Sequence, residues 1–352
     1  MVDLSESARL LMMPGKGLLA ADETDSHADR WLKEHGIEGG EEMRREFREL
    51  FLATPGAEAY LSGVILFTET LEQKTHDGVP FPMLLSEHDI IPGVKVDLGL
   101  EPFPESKDET ITSGLIGLPE RLAEYRSKYG TGFTKWRAAI KIEGDRLPTT
   151  SAIVENAKRL AMYAREVQSA GMLPIVEPEV LLDGNHSRLR AREVIAKTMH
   201  ALIAAMEDQA VDLSGVIIKT SMALSGSASG HTDTPEEIAE DTLGALMEAV
   251  PAIIPGIVFL SGGQTPDQAT ENLRAICKRA RDAAKSPSGD NATESPSGGD
   301  AGAQAPWPLT YSFARAFQEE AVAVWAGKKE NIPAAREAFL SRIRKASQAT
   351  LS

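Results

Sequence analysis

The run Gly215-Val216-Ile217-Ile218-Lys219 puts a lysine at the end of a nearly continuous apolar stretch, where an ammonium ion is costly to keep. Burial pushes such an amine toward its neutral form, and a neutral amine can attack a carbonyl to give a Schiff base. A lysine at a strand end can also simply extend to solvent, so its company decides between the two. That company is charged and regularly spaced: Lys95 with Asp97, Lys135 with Arg137, and Glu177 with Glu179 across Pro178, while Asp22 closes an apolar run of its own. Alternate residues of a strand share a face. Each pair therefore points one way, and the set converges if the strands stand side by side around one mouth.

Short apolar, β-branched runs recur at 15–22, 63–67, 91–97, 133–141, 172–180, 215–222, 256–262 and 307–313. Between them lie charged stretches of helical period, such as 151–170 with Ile153, Ala157, Leu160 and Ala164, and 235–249 with Ile238, Thr242, Leu243 and Leu246. Eight strands alternating with helices predict an α/β fold, a single (β/α)8 barrel of the TIM type. An open doubly wound sheet is the competing architecture, but no Gly-x-Gly-x-x-Gly follows the first run. In such a barrel the catalytic residues lie at the C-terminal strand ends, and phosphate sits after strands seven and eight. There the sequence has Ser261-Gly262-Gly263, whose small residues let backbone N–H groups approach an anion, and then Ser312 and Arg315. Arginine is a permanently charged planar fork suited to a phosphate dianion. With Lys95 and Arg137 across the mouth, the cations are placed to clamp two phosphates at opposite ends of one substrate.

The chain of 352 residues is expected to fold as one domain over 1–352, with a disordered insertion at 284–306 built almost wholly of Ser, Pro, Gly, Asp, Asn and Ala. Asn291-Ala292-Thr293 within it matches a glycosylation acceptor by chance composition. Thirty-seven basic against 52 acidic residues give a net charge of −15, which argues against nucleic-acid and anionic-membrane partners. Cys277 is the sole cysteine, so no intrachain disulfide is expected. Asp3 and Glu6 stand where a signal peptide needs positive charge, and no apolar run is long enough to span a bilayer. A soluble cytoplasmic protein is expected. The seven histidines are not paired at metal-ligand spacing, and neither a metal nor a cofactor is expected.

Seven segments in order resemble the class I fructose-1,6-bisphosphate aldolases: Gly17-Leu18-Leu19-Ala20-Ala21-Asp22-Glu23, Gly63-Val64-Ile65-Leu66-Phe67, Gly93-Val94-Lys95-Val96-Asp97, Lys135-Trp136-Arg137, Pro174-Ile175-Val176-Glu177-Pro178-Glu179, Phe259-Leu260-Ser261-Gly262-Gly263-Gln264 and Gly327-Lys328-Lys329-Glu330-Asn331. The resemblance implies that Lys219 forms the Schiff base, that Glu177 serves carbinolamine formation and dehydration, and that Asp22 acts on the substrate hydroxyls. It implies that Lys135 and Glu179 complete the polar centre. By the same resemblance Ser261, Gly262, Gly263, Ser312 and Arg315 hold one phosphate of a sugar bisphosphate, and Thr24, Ser26, Lys95 and Arg137 hold the other, with Arg30 close by. It further implies a homo-oligomer, by family habit a tetramer. An imine accepts the electron pair of a breaking carbon–carbon bond better than a ketone does, and Lys135 beside Lys219 is expected to favour the neutral amine. Four features depart from the family pattern. Thr220-Ser221 replaces Pro-Asn after the lysine, Ala314 replaces Gly before Arg315, and the segment between Glu23 and Arg30 is one residue shorter than in the animal enzymes. No tyrosine follows Tyr311, whereas the animal enzymes end in a mobile tail closed by one. Another Schiff-base sugar-phosphate aldolase and a catalytically silent barrel used as a binding scaffold are the competing functions.

Overall fold

A computed structural model describes residues 3–282 and 304–352; of the expected insertion, 284–303 lies outside the described residues. Ten strands are present among the described residues: β1 Gly17–Ala21, β2 Leu61–Leu66, β3 Ile91–Lys95, β4 Leu100–Phe103, β5 Ser106–Thr112, β6 Phe133–Ile140, β7 Leu173–Val180, β8 Ile217–Thr220, β9 Ile257–Phe259 and β10 Leu309–Phe313. Eight of them close a parallel barrel in the order β1-β10-β9-β8-β7-β6-β3-β2. The eight expected runs are the eight barrel strands, and the helices expected at 151–170 and 235–249 are Thr150–Ser169 and Pro235–Ala249.

The period-2 pattern now has a physical address. Leu18, Ala20, Ile65, Phe133, Leu173, Ile175, Ile217 and Val258 point into the barrel and pack as one apolar cluster. A short helix, Leu4–Leu11, plugs its lower end, contributing Ala8 and Leu11 to that cluster together with Met12 beyond the helix. Two residues farther along the same inward faces stand Asp22, Lys135, Glu177 and Lys219. The barrel interior is thus an apolar stack capped by a charged layer. The alternate residues, among them Leu19, Ala21, Trp136, Val176 and Ile218, belong to the larger core between sheet and helices.

Sequence reading missed the antiparallel pair β4 and β5. Its residues, Leu100-Glu101-Pro102-Phe103 and Ser106 to Thr112, are rich in charge and threonine; β4 is exposed up to Phe103, and the buried positions of β5 include the polar Glu109 and Thr112, so no apolar alternation marks them. Phe103 and Ile111 pack on Ala152 of the helix Thr150–Ser169. Glu109 fixes that helix start, accepting from Thr149 N at 2.8 Å and Thr149 Oγ1 at 2.7 Å. The pair also reaches the barrel, since Thr112 Oγ1 donates to the Arg137 carbonyl at 2.7 Å.

Gly93 illustrates how tightly the lower barrel is filled, because a Cβ there would run into the ring of Phe133. Gly93→Ala is expected to lower stability by roughly 1–3 kcal/mol through overpacking. Urea unfolding checks this, with partial recovery expected when Phe133→Leu is added; an unchanged midpoint would show that the ring has room to move.

Candidate active site

At the mouth, strand pairing places Lys135 beside Lys95 on β3 and Ile175 on β7, and Arg137 beside Glu177. β8 adds Lys219, beside Val258 of β9. The side chains meet as an ionic chain. Lys219 Nζ lies 3.0 Å from Glu177 Oε1, Lys135 Nζ lies 3.0 Å from Glu177 Oε2 and 2.5 Å from Asp22 Oδ2. Lys135, Glu177 and Lys219 are each no more than 4% exposed. Burial works against the charge of Glu177, but the ammonium groups of Lys135 and Lys219 outweigh it and hold the carboxyl down to about 2. Burial likewise opposes the charge of Lys135, yet the carboxylates of Asp22, Glu177 and Asp97 push it well above the ordinary lysine range. Lys135 is therefore a fixed cation. The expected direct action of Lys135 on Lys219 is modified, because Glu177 stands between them. Glu177 Oε2 is buried with no hydrogen bond aligned on it, so it retains a lone pair for a ligand proton. Glu179 does not pair with Glu177 but forms an ion pair with Arg137.

On one side of this layer, β9 runs into Ser261-Gly262-Gly263-Gln264. The turn closes with Gln264 N donating to the Ser261 carbonyl at 3.0 Å. Both central residues have positive φ, +53° at Gly262 and +87° at Gly263, conformations that glycine alone adopts at low cost. Ser312 on β10 is buried and its hydroxyl has no partner. The helix Arg315–Trp325 follows with no side-chain cap on its first turn, leaving N–H donors and positive dipole free for an anion. Arg315 is exposed and its guanidinium sits 5.8 Å from the centre of the Trp31 ring.

Lys95 and Arg137 lie across the barrel from these groups, on β3 and β6, while the helix Asp25–Glu34 starts just after β1, next to β10. Thr24 caps that helix, with His27 N donating to Thr24 Oγ1 at 3.4 Å, and Ser26 Oγ lies 3.3 Å from the same oxygen. Arg30 is exposed on the helix. A buried network anchors the segment from behind: Arg48 donates to the Glu23 carbonyl at 2.9 Å and pairs with Glu69 at 3.0 Å, and Arg44 joins Glu69 at 2.5 Å to Asp29 at 2.8 Å. His27, at the mouth, is held below the ordinary histidine range by burial and then by Arg30, Arg315, Arg137 and Lys95. One imidazole thus feels cations from both sides of the mouth, so these groups share a single field.

The sequence matches the family model described as fructose-bisphosphate aldolase class-I over residues 3–352. It is 42% identical over 323 residues to a probable fructose-bisphosphate aldolase class 1 of Xanthomonas campestris pv. campestris, covering 92% of this chain and 89% of the relative. It is also 42% identical over 349 residues to the cytosolic fructose-bisphosphate aldolase 6 of Arabidopsis thaliana, covering 99% and 90%. The chain belongs to the class I fructose-bisphosphate aldolase family. Its fold superposes on the fructose-bisphosphate aldolase of Plasmodium falciparum, solved with TRAP and a small-molecule inhibitor, with a TM-score of 0.90 at 38% identity, covering 99% of this chain and 93% of that one.

Two departures from the aldolase pattern are absorbed locally. Ser221 Oγ donates to the Val180 carbonyl at 2.8 Å, Leu260 N donates to the Thr220 carbonyl at 3.0 Å, and Ala223 N donates to Thr242 Oγ1 at 2.9 Å. The segment after Lys219 is therefore pinned without Pro-Asn. Ala314 has a φ of −107°, so the position does not require glycine for a positive φ.

Sequence reading passed over Glu23, which lies beside Asp22 but faces away from the inward series. Both its carboxyl oxygens are buried without a hydrogen-bond partner, although other parts of the residue are exposed. Burial, reinforced by the Asp22 charge, pushes its carboxyl up to about 7. Between the unfolded value near 4.5 and about 7 the unfolded chain is ionised and the folded chain is not, so this group costs stability progressively across that window and no further above it. Glu23→Gln removes the cost. Its stability relative to the parent is expected to rise by on the order of 2–3 kcal/mol between pH 4.5 and pH 8. Urea unfolding at several pH values checks this; a pH-independent difference would mean that Glu23 is ionised throughout.

Proposed function

We propose that this aldolase catalyses the reversible cleavage of fructose 1,6-bisphosphate to dihydroxyacetone phosphate and glyceraldehyde 3-phosphate through a Schiff base on Lys219, in glycolysis, gluconeogenesis or the Calvin cycle. The observation that carries the residue assignment is Lys219 Nζ, buried at the barrel mouth 3.0 Å from Glu177 Oε1, with a cationic cluster on either side. Lys219 Nζ first passes one of its three protons to Glu177 and adds to the ketone carbon as the neutral amine. Glu177 gives that proton to the carbonyl oxygen, then takes one from the attacking nitrogen and delivers it to the resulting hydroxyl, which leaves as water and leaves the iminium. Asp22 then removes the proton of the hydroxyl beyond the scissile bond; that bond breaks, the aldehyde departs, and the electron pair enters the iminium to form an enamine. Protonation of the enamine carbon and hydrolysis release the ketone. Lys135, fixed as a cation between Asp22 and Glu177, holds both carboxylates in place, and Glu179 orients Arg137.

The two phosphates lie apart in this reading. Ser261, Gly262, Gly263, Ser312 and Arg315 take the one next to the ketone, while Thr24, Ser26, Arg30, Lys95 and Arg137 take the far one. Two cationic ends favour a bisphosphate over the single phosphate of other Schiff-base aldolases. A silent scaffold has no use for three buried charged groups that cost desolvation. A homo-oligomer, by family habit a tetramer, belongs to the same reading and is favoured by the exposed Leu98, Leu100 and Ile116 flanking the β4–β5 pair. So does a cytoplasmic location, in keeping with the cytosolic Arabidopsis relative; among the described residues no helix is long and apolar enough to cross a membrane.

Borohydride reduction in the presence of dihydroxyacetone phosphate is expected to leave a stable adduct on Lys219, located by peptide mass spectrometry. An adduct on another lysine would overturn the assignment. Arg315→Ala is expected to weaken both dihydroxyacetone phosphate and the bisphosphate, and Arg137→Ala chiefly the bisphosphate. A charge-assisted hydrogen bond of about 1.5–3 kcal/mol corresponds to roughly 10- to 100-fold in affinity. Equal effects of both substitutions on both ligands would contradict the two-ended site.

A further inference from the structure

Asp97 is buried, 6% exposed, at the far-phosphate side of the mouth, and no step described above uses it. Its position is unusual in the number of groups it joins. Oδ1 lies 2.6 Å from Lys95 Nζ and accepts from Gly99 N at 3.2 Å, while Oδ2 accepts from Arg137 N at 3.3 Å. The Asp97 carbonyl accepts a hydrogen bond from Lys95 Nζ at 2.8 Å. The Lys95 ammonium is thus held at one residue by an ion pair and a hydrogen bond, and it has donors left for a ligand.

The surrounding elements make this a built arrangement. Val96 N donates to the Lys135 carbonyl at 3.1 Å, continuing the β3–β6 register past the end of β3 and bringing Asp97 level with Arg137. Leu98 N and the Ser113 carbonyl pair at 2.9 Å, and Ser113 N and the Gly99 carbonyl pair at 2.9 Å, so the β4–β5 pair closes behind Asp97. Thr112 Oγ1 on the Arg137 carbonyl holds the same residue's backbone at its other end.

We propose that Asp97 is a positioning residue that sets specificity for a bisphosphate, by fixing Lys95 and the Arg137 backbone so that both cations meet the far phosphate together. This rests on the aldolase reading above and deepens it. A carboxylate is an acceptor at every lone pair and satisfies an ammonium and two N–H groups at once. An asparagine offers one acceptor oxygen and turns its NH2 toward a donor. Asp97→Asn therefore frees Lys95 to other rotamers and leaves one N–H group without a partner, while the phosphate next to the ketone, on the opposite side, keeps its contacts.

The test compares kcat/KM for fructose 1,6-bisphosphate with kcat/KM for fructose 1-phosphate, which lacks the far phosphate. In Asp97→Asn the ratio of the two is expected to fall about tenfold, the worth of one charge-assisted contact, through KM more than kcat. In a Lys95→Met background the same substitution is expected to lower the ratio by clearly less, because of the two groups through which Asp97 acts only the Arg137 backbone remains. An unaltered ratio in Asp97→Asn, or an equal fall with and without Lys95, overturns the proposal. Should the asparagine variant not fold, Asp97→Glu keeps the charge but moves it by one methylene. The ratio is then expected to fall by at least about threefold, within the range for one weakened hydrogen bond, and an unaltered ratio again overturns the proposal. Borohydride trapping of dihydroxyacetone phosphate on Lys219 in the unsubstituted protein separates the two levels: its failure strikes the aldolase reading, whereas its success with an unaltered ratio strikes only the role of Asp97.

Discussion

Glu177 is held between two ammonium groups, Lys135 and Lys219, in a layer from which water is largely excluded. Three buried charges are tolerated only as a set, because an isolated one carries a desolvation cost that only a partner offsets. Asp22 completes the balance on Lys135, so the layer holds two carboxylates and two ammonium groups in alternation. This alternation gives each group a distinct chemical state. Lys135 is fixed as a cation and Glu177 is fixed as a base, and Lys219 is the member at the end of the chain with a single carboxylate contact.

Such a layer requires that four strands from distant parts of the sequence end at the same height. The apolar stack beneath it does that: Leu18 and Ala20, Phe133, Leu173 and Ile175, and Ile217 pack against one another inside the barrel and set the relative height of β1, β6, β7 and β8. The helix Leu4–Leu11 closes the stack from below. Above it, the glycine turn after β9 and the uncapped helix after β10 present N–H donors, the Arg48–Glu69–Arg44 network braces the neighbouring Thr24 segment, and Lys95 and Arg137 stand across the barrel. In the proposed function the substrate's phosphates meet groups whose places are settled before it arrives, which lowers the ordering cost of binding.

Inward-facing charges were legible in the sequence because strand periodicity is local: Lys135 with Arg137 and Glu177 with Glu179 declare their faces without knowledge of the fold. The eight strands and the helix at 235–249 were legible for the same reason. Strand ends were read too long, as at 215–222 against Ile217–Thr220, since apolar residues continue into turns that are held by side chains such as Ser221 instead of by a ladder. The β4–β5 pair escaped because its order comes from tertiary contacts with Thr149, Ala152 and Arg137. Asp97 was seen as a partner of Lys95 in parity, but its bonds to Gly99 and Arg137 depend on register between strands. Glu23 gave no signal, because the burial that raises its carboxyl is a product of tertiary packing and not of local spacing. The carboxylate between the two lysines was likewise invisible to spacing, which reports faces and not distances.

The proposed mechanism is geometric and covalent: one lysine bonded to the ketone carbon, Glu177 at that carbon's oxygen, and the phosphates on opposite sides. A crystal structure of the protein after soaking in fructose 1,6-bisphosphate and borohydride reduction tests all three at once. The mechanism requires continuous density from Lys219 Nζ to the ketone carbon, one phosphate on Arg315 and the Ser261 turn, and the other on Lys95 and Arg137. Density joined to Lys135 instead, or a sugar bound at the mouth with its phosphates exchanged between the two sides, would contradict it.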